Sequence, residues 1–403
     1  MQTLFPTGTA HLFMPGPTNV PMDVQRAMLV GMQDHRAPAF ADLLRPILSD
    51  LKPIFGITKG SIALFPGSGT AAWEAAIANT LSPGDKVLMA RHGHFSTLWV
   101  RMAQDLGLDV DVIDLPWGAP APVKEIGRRL SADRFGAIKA VFVTHNETAT
   151  GVTSDVGAIR AEMDSAFHDA LLFVDGVSSV GSLPFQMDDW GVDLAIAGSQ
   201  KGLMAPAGLG ILAVSPKALG ACDGSTMRRS YLDLQAMLAA HEAGSFTYTP
   251  PAPLLHGLRA ALDRIKAEGL DNVFARHARL ASAIRSGVAA MGLQTVAEHP
   301  RYASDTVTAI RTPRDVDARR VIDIARSRYN THFGGGLGPL AGKAFRIGHL
   351  GDLNEGMCLT ALGVAELALI EAGARIPVGA SVEAALHVFA GRMSRPALSL
   401  AAE

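Results

Sequence analysis

Two short apolar runs, each leading to a polar residue of distinct chemistry, constrain this chain more than any other feature. Ala170-Leu171-Leu172-Phe173-Val174 ends at Asp175, and Asp193-Leu194-Ala195-Ile196-Ala197 leads into Gly198-Ser199-Gln200-Lys201-Gly202. Runs this short, continuous in apolar side chains and bounded by turn formers, read as buried strands of a parallel sheet. Open α/β sheets bind ligands just beyond the carboxyl ends of their strands, where Asp175 and Lys201 are placed. An acid on one strand end and a lysine on another suit a pyridine cofactor held as a Schiff base. The lysine forms the imine, and the acid keeps the ring nitrogen protonated so that the ring can take up carbanion charge. A lysine after a strand is ordinarily solvated. Lys201, however, lies between Ile196-Ala197 and Leu203-Met204-Ala205-Pro206, with Gly208-Leu209-Gly210-Ile211-Leu212 beyond. Burial in that company would depress its pKa and favour the neutral, nucleophilic amine.

Other stretches carry chemistry on their own residues. Ile62-Ala63-Leu64-Phe65-Pro66-Gly67-Ser68-Gly69-Thr70 reads as a strand, a glycine-rich turn and the start of a helix running to about residue 79. Free N–H groups at such a helix start, with the Ser68 and Thr70 hydroxyls and close approach at Gly69, make a phosphate site. The string is neither a GxxxxGK[ST] loop nor a three-glycine dinucleotide fingerprint. The strand Ile138 to Thr144 runs into His145-Asn146-Glu147-Thr148-Ala149-Thr150-Gly151. His145 and Glu147 there lack the third and fourth partners a metal needs, so no metal is expected. Gln200, next to Lys201, can reach a cofactor phosphate or ring oxygen. Arg346, flanked by Phe345 and Ile347 in an apolar strand, needs an anionic partner if buried.

The strings Gly198-Ser199-Gln200-Lys201-Gly202-Leu203 and Val174-Asp175-Gly176-Val177-Ser178-Ser179 resemble the class V aminotransferases of fold type I, in the serine–glyoxylate and alanine–glyoxylate branch. The likeness runs from Pro15 to about Ala372. It implies pyridoxal 5′-phosphate as cofactor and an α/β fold, with a large domain around a mostly parallel seven-stranded sheet and a smaller C-terminal α/β domain. In that frame Lys201 binds the cofactor, and Asp175 pairs with its ring nitrogen. Ser68, Gly69 and Thr70 take the phosphate. Phe95 stacks on the ring where many relatives carry tryptophan, and a phenyl ring can still offset-stack there. Val177 packs on the ring face, and Thr148 hydrogen-bonds the phenolic oxygen, while Glu147 and Thr150 organise their turn. The Pro15-Gly16 backbone and Arg346 hold the substrate carboxylate. Thr249, in Phe246-Thr247-Tyr248-Thr249-Pro250-Pro251, comes from the neighbouring subunit to the phosphate, which implies a homodimer with shared active sites.

The resemblance also implies the reaction: an L-amino acid gives its amino group to glyoxylate. L-Serine is the first expected donor. L-Aspartate is second, because Arg228 or Arg229 could read an acidic side chain, and L-alanine third. A cysteine desulfurase or other lyase of the same fold needs a mobile nucleophilic cysteine, and neither Cys222 nor Cys358 sits in a suitable loop. A non-catalytic cofactor-binding regulator would be expected to carry a DNA-binding appendage, and none is expected here.

Length and composition fit this reading. A chain of 403 residues with 48% apolar and 18% charged residues can bury a large core. A net charge of −2 gives no case for nucleic acid or an anionic membrane, and no apolar run reaches the roughly 18 residues of a membrane span. Neither terminus carries a secretory or peroxisomal signal, so a cytoplasmic protein is expected. The expected division is a large domain at 21–269 and a small one at 270–403 that includes the arm 1–20. Residues after about 372 are expected to form a loosely attached surface segment.

Overall fold

The computed structural model describes residues 8–391. Its strands, in chain order, are β1 (His11–Phe13), β2 (Ser61–Gly67), β3 (Lys86–Arg91), β4 (Asp109–Asp114), β5 (Ile138–Thr144), β6 (Asn146–Glu147) and β7 (Val152–Thr153). They continue with β8 (Leu171–Asp175), β9 (Leu194–Gly198), β10 (Gly208–Val214), β11 (Val307–Arg311), β12 (Thr331–Gly335) and β13 (Ala344–Gly348). Seven of them form one sheet in the order β2-β10-β9-β8-β5-β3-β4. The pairs from β9 to β4 are parallel, and β10 runs antiparallel to both β9 and β2. The fold is α/β with a mostly parallel seven-stranded sheet. Every residue of β8 and β9 is buried. That is why these strands carry no polar alternation: helices cover both faces of a parallel sheet.

A second sheet has the order β1-β12-β13-β11. Its first strand comes from the N-terminal arm, where His11–Phe13 runs parallel to Thr331–Phe333. Packing separates along the same lines. One apolar cluster gathers around the large sheet, including Leu64, Phe142, Phe173 and Ile196. Another joins Phe13 of the arm to Leu280, Phe345, Ile347 and Leu362.

Some expectations need correction. A helix runs from Phe40 to Phe55, where the sequence from Pro38 reads as helical only to Leu51, and it passes through Pro46 and Pro53 before ending at Gly56 in the left-handed conformation. Its buried face, Leu44, Ile47, Leu51, Ile54 and Phe55, outweighs the backbone bonds that the two prolines remove. Gly334 and Gly335, in a run of glycines that reads as a loop, belong to β12. The segment after 372 is not loosely attached within the described residues. Helix Ala380–Phe389 packs on helix Leu270–Ala290, and Ser381 is buried with its Oγ and N–H donating to Glu366. The rest of that segment, 392–403, lies outside the described residues. Asp188 lies in an exposed turn and accepts from the Thr58 hydroxyl and from the backbone of Thr58 and Lys59.

Candidate active site

The carboxyl ends of the parallel strands, together with the start of helix Gly69–Thr80, enclose a cavity of about 290 Å³. Asp175 is the last residue of β8, and Lys201 follows three residues after β9, so adjacent parallel strands deliver both to one wall. Ser68, Gly69 and Thr70 line the side where the helix begins. The Ser68 side chain makes no capping bond to the helix, and the first turn carries no acidic residue. The N-terminus therefore keeps its positive end and its hydroxyls for an anion. A Cβ on Gly69 would come 2.7 Å from Val177 Cγ2, so glycine is required for the helix to start this close to Val177. Phe95, Thr148, Val177 and Gln200 also line it, and Gly16 closes the cavity from the arm, whereas Pro15 and Arg346 are not among its lining residues.

Burial sets the electrostatics. Lys201 is 8% exposed, and desolvation lowers its pKa to about 8, with the Arg346 charge acting in the same direction. Its Nζ donates to the Pro15 carbonyl, and Thr18 Oγ1 donates to its own carbonyl. Gly16 is indispensable here: at φ +112°, a Cβ would lie 2.3 Å from Lys201 Nζ. Asp175 accepts from Val177 N–H at 2.9 Å, yet burial pushes its pKa up to about 7. An acid that costly to ionise is poised for a cationic partner.

Arg346 lies on β13, 7% exposed. Its Nε donates to Gly335 O at 2.9 Å and its Nη1 to Thr148 O at 3.1 Å, and it has no salt bridge among the described residues. A Cβ on Gly334 would meet Pro15 Cδ at 2.9 Å and Arg346 Nε at 3.4 Å, so arm and arginine converge on one spot. Burial lowers the guanidinium pKa to about 10.

Three expected residues lie elsewhere. Thr249 is exposed and does not line this cavity. Arg229 is not free to read a substrate side chain: Nη1 donates to Ala78 O, Ser225 Oγ and Met227 O, and the guanidinium pairs with Asp233. Arg228 is exposed outside the cavity. Glu147 reaches further than its own turn. It accepts from the N–H groups of Phe95, Ser96 and Ala149 and from Ser96 Oγ, capping the helix that presents Phe95. Sequence reasoning passed over two lining residues, Trp73 and Ser178. Trp73 stands four residues after Gly69, one helical turn along, and that spacing was the available signal.

Both cysteines are buried and unbonded, and burial raises both thiol pKa values, Cys358 to about 12. Neither lines the cavity, so neither can serve as the nucleophile of a desulfurase there. Among the described residues no group of three or more His, Cys, Asp and Glu could hold a metal ion, and no helix is long and apolar enough to cross a membrane.

Lys201, Asp175 and the uncapped start of helix Gly69–Thr80 share one cavity on an α/β fold, the arrangement that a pyridine cofactor held by a lysine would need. Residues 12–328 match the family described as aminotransferase class-V, and the chain belongs to it. It is 55% identical over 383 residues to the serine–glyoxylate aminotransferase of Methylorubrum extorquens, covering 94% of this chain and 95% of that one. It is 48% identical over 379 residues to the L-aspartate–glyoxylate aminotransferase of Paracoccus denitrificans, covering 94% and 96%. Among solved structures, pyridoxamine–pyruvate aminotransferase from Mesorhizobium loti superposes with a TM-score of 0.90 at 30% identity, covering 98% of this chain and 99% of that one. The protein is a transaminase, and its cofactor is pyridoxal phosphate. The residues present fit that group. The buried Gln200 Oε1 and Trp73 Nε1 on the cavity wall have no partner within the protein, and the helix start is unblocked for a phosphate.

The Asp175 carboxyl carries a pH signature of its own. In the cofactor-free protein its folded pKa, about 7, lies above its ordinary value of 3.8. Between those values the folded state holds a proton that the unfolded state has lost, so this group's contribution to stability is full below about pH 4 and is lost as pH rises through 7. Denaturant titrations of the cofactor-free protein from pH 5 to 8 should show Asp175→Asn gaining stability relative to wild type as pH rises. Parallel profiles would contradict this assignment. The lowered Lys201 acts only above about pH 8 and does not overlap that window.

Proposed function

We propose that the protein transfers the amino group of an L-amino acid to glyoxylate, giving glycine and the matching 2-oxo acid. L-Serine is the first donor, L-aspartate the second and L-alanine the third. The observation that carries this reading is likeness along the whole chain to a serine–glyoxylate aminotransferase, at 55% identity over 94% of the residues. The aspartate-using relative at 48% keeps aspartate in second place. Arg229 does not support aspartate, since Asp233 and three neighbouring oxygens already occupy it.

In this reading Ser68, Gly69 and Thr70 would hold the cofactor phosphate, Gln200 would reach that phosphate or a ring oxygen, Phe95 and Val177 would pack against the ring, and Thr148 would meet its phenolic oxygen. Bound in this way, the cofactor supplies an electron sink for the pair released when the substrate Cα loses its proton. Asp175 holds a proton on the ring nitrogen, which restores its own carboxylate charge in a buried place. Arg346 grips the substrate carboxylate with its planar fork, and the Pro15-Gly16 backbone orients the same group. Lys201 would hold the cofactor and would serve as the base and acid that moves the substrate Cα proton, a role that its pKa, lowered by burial to about 8, suits.

The homodimer with shared sites draws support from Thr249, exposed and absent from its own chain's cavity. The two apolar clusters support a large domain at 21–269 and a small one at 270–403 with the arm 1–20. We place the protein in the cytoplasm.

The test is product analysis. Loaded enzyme given glyoxylate and, in turn, L-serine, L-aspartate or L-alanine should form glycine in each case and fastest with serine. Glycine formation fastest with aspartate would reverse the donor order. No glycine with any donor would remove glyoxylate as acceptor.

A further inference from the structure

Three buried polar residues beside the cavity form a linked set: Asn146, Thr148 and Ser178. A serine hydroxyl has one proton and two lone pairs. Ser178 Oγ uses all three. It donates to Asn146 O at 2.8 Å, and it accepts from Asn146 Nδ2 and from Thr148 Oγ1, each at 2.8 Å. Asn146 is also fully engaged. Its Nδ2 donates to Thr306 Oγ1 at 2.9 Å as well, and its Oδ1 accepts from Thr153 Oγ1 at 3.0 Å. Thr306 precedes β11 of the second sheet and is itself tied to Ser304, whose Oγ accepts from Thr306 N–H. Asn146 therefore joins a hydroxyl on the cavity wall to the flank of the other sheet. Thr148 and Ser178 line the cavity, whereas Asn146 and Thr306 do not.

We propose that Asn146, anchored on Thr306, is a positioning residue that acts through Ser178 to let Thr148 donate its hydroxyl proton to an anionic oxygen of the bound cofactor. The inference rests on the reading that the cofactor fills this cavity. As the protein stands, the Thr148 proton points at Ser178, so toward the cavity Thr148 offers lone pairs, which repel an anionic oxygen. To serve such an oxygen, Thr148 turns its proton into the cavity. Ser178 then turns its own proton from Asn146 O to Thr148 Oγ1. Both are hydroxyl rotations: no heavy atom shifts and no proton is transferred. The Asn146 amide donor cannot reverse, because Nδ2 carries only protons. It holds Ser178 Oγ in both arrangements, and Thr306 holds the amide.

The charged and titratable groups around this set leave it free to act. Arg346 Nη1 donates to the Thr148 carbonyl, not to its hydroxyl. Glu147 is engaged with Phe95, Ser96 and Ala149, and His145 Nδ1 with Ser179 Oγ. Asp175 accepts from Val177, and Lys201 donates to Pro15. None of them hydrogen-bonds the Thr148 hydroxyl, Ser178 Oγ or the Asn146 amide.

The test is the pH titration of the visible absorbance band of the cofactor-loaded enzyme. Wild type is compared with Asn146→Ala, Asn146→Asp, Ser178→Ala and Thr306→Val. Removing the support takes from Thr148 the hydrogen bond that orients and polarises its hydroxyl, so Thr148 donates more weakly, the phenolic oxygen is left more basic and it holds the neighbouring proton more tightly. The midpoint should move up by roughly one unit in Ser178→Ala and in both Asn146 variants, one unit being a tenfold change in that proton's binding. Thr306→Val should move it the same way by less. Cofactor affinity of the cofactor-free protein, read by fluorescence quenching, should fall in the same order. Thermal stability will drop in every variant, because buried partners are lost, so it does not discriminate. Asn146→Asp keeps the volume if Asn146→Ala does not fold. Midpoints equal to wild type in Ser178→Ala and the folded Asn146 variant would overturn the proposal alone. A wild-type protein that takes up no cofactor and shows no band would overturn the functional reading beneath it.

Discussion

Lys201→Ala should lose at least about a thousandfold in turnover, the range expected when a positioned proton carrier is removed, and more if covalent binding of the cofactor is needed for its orientation. The protein should remain folded. Lys201 is a buried amine whose charged form is costly, as its lowered pKa of about 8 shows, and its single side-chain bond runs to the Pro15 carbonyl. The cofactor should still bind, since the phosphate contacts assigned to Ser68, Gly69 and Thr70 are independent of the lysine. The variant should therefore separate binding from chemistry: a phosphate-dependent affinity remains while glycine formation disappears. Added methylamine, small enough for a cavity of about 290 Å³, should restore part of the rate by replacing the missing amine. Turnover close to wild type in the variant would sink the catalytic role.

Arg346→Leu should lower kcat/KM for the amino donor by about a hundredfold to a thousandfold, because an Arg–carboxylate pair in a desolvated place contributes roughly 3 to 4 kcal/mol to binding. The loss should appear mainly in KM, with the absorbance of the loaded enzyme unchanged. The reason lies in what Arg346 lacks. It is buried, it donates to two carbonyl oxygens, and it has no carboxylate partner within the described residues. A structural ion pair would have supplied one. Arg346→Lys should recover little, since a point charge cannot reproduce the two parallel bonds of the guanidinium. Half-reaction kinetics with L-serine over a wide concentration range make the measurement. An unchanged KM would assign Arg346 to the fold rather than to the substrate.

Much of this site was legible in the sequence because parallel sheets advertise themselves. Leu171–Asp175 and Leu194–Gly198 are buried on both faces, so their composition alone marks them, and the polar residues that follow mark the ligand end. Three kinds of feature stayed hidden. The β1 strand owes its existence to pairing with Thr331–Phe333, more than three hundred residues away, and three residues have no period of their own. Gly334 and Gly335 look like a loop, yet Pro15 and Arg346 approach so closely at Gly334 that only glycine fits in that strand. Arg229 reads as available because one partner, Ala78 O, comes from chain distant in sequence, and the others, Ser225, Met227 and Asp233, lie in a non-helical stretch where no spacing rule applies. Glu147 shows the same limit. Its capping of the helix that carries Phe95 links residues about fifty apart, and no spacing rule reports such a contact.

The central claim is that Lys201 is the residue to which the cofactor is joined. Borohydride reduction of the loaded protein, followed by proteolysis and mass spectrometry, tests it most directly. The account predicts a reduced pyridoxyl-phosphate adduct on the peptide containing Gly198-Ser199-Gln200-Lys201-Gly202, removed when L-serine is added before the reductant. An adduct on a different lysine, or none on a protein that binds the cofactor, would contradict it.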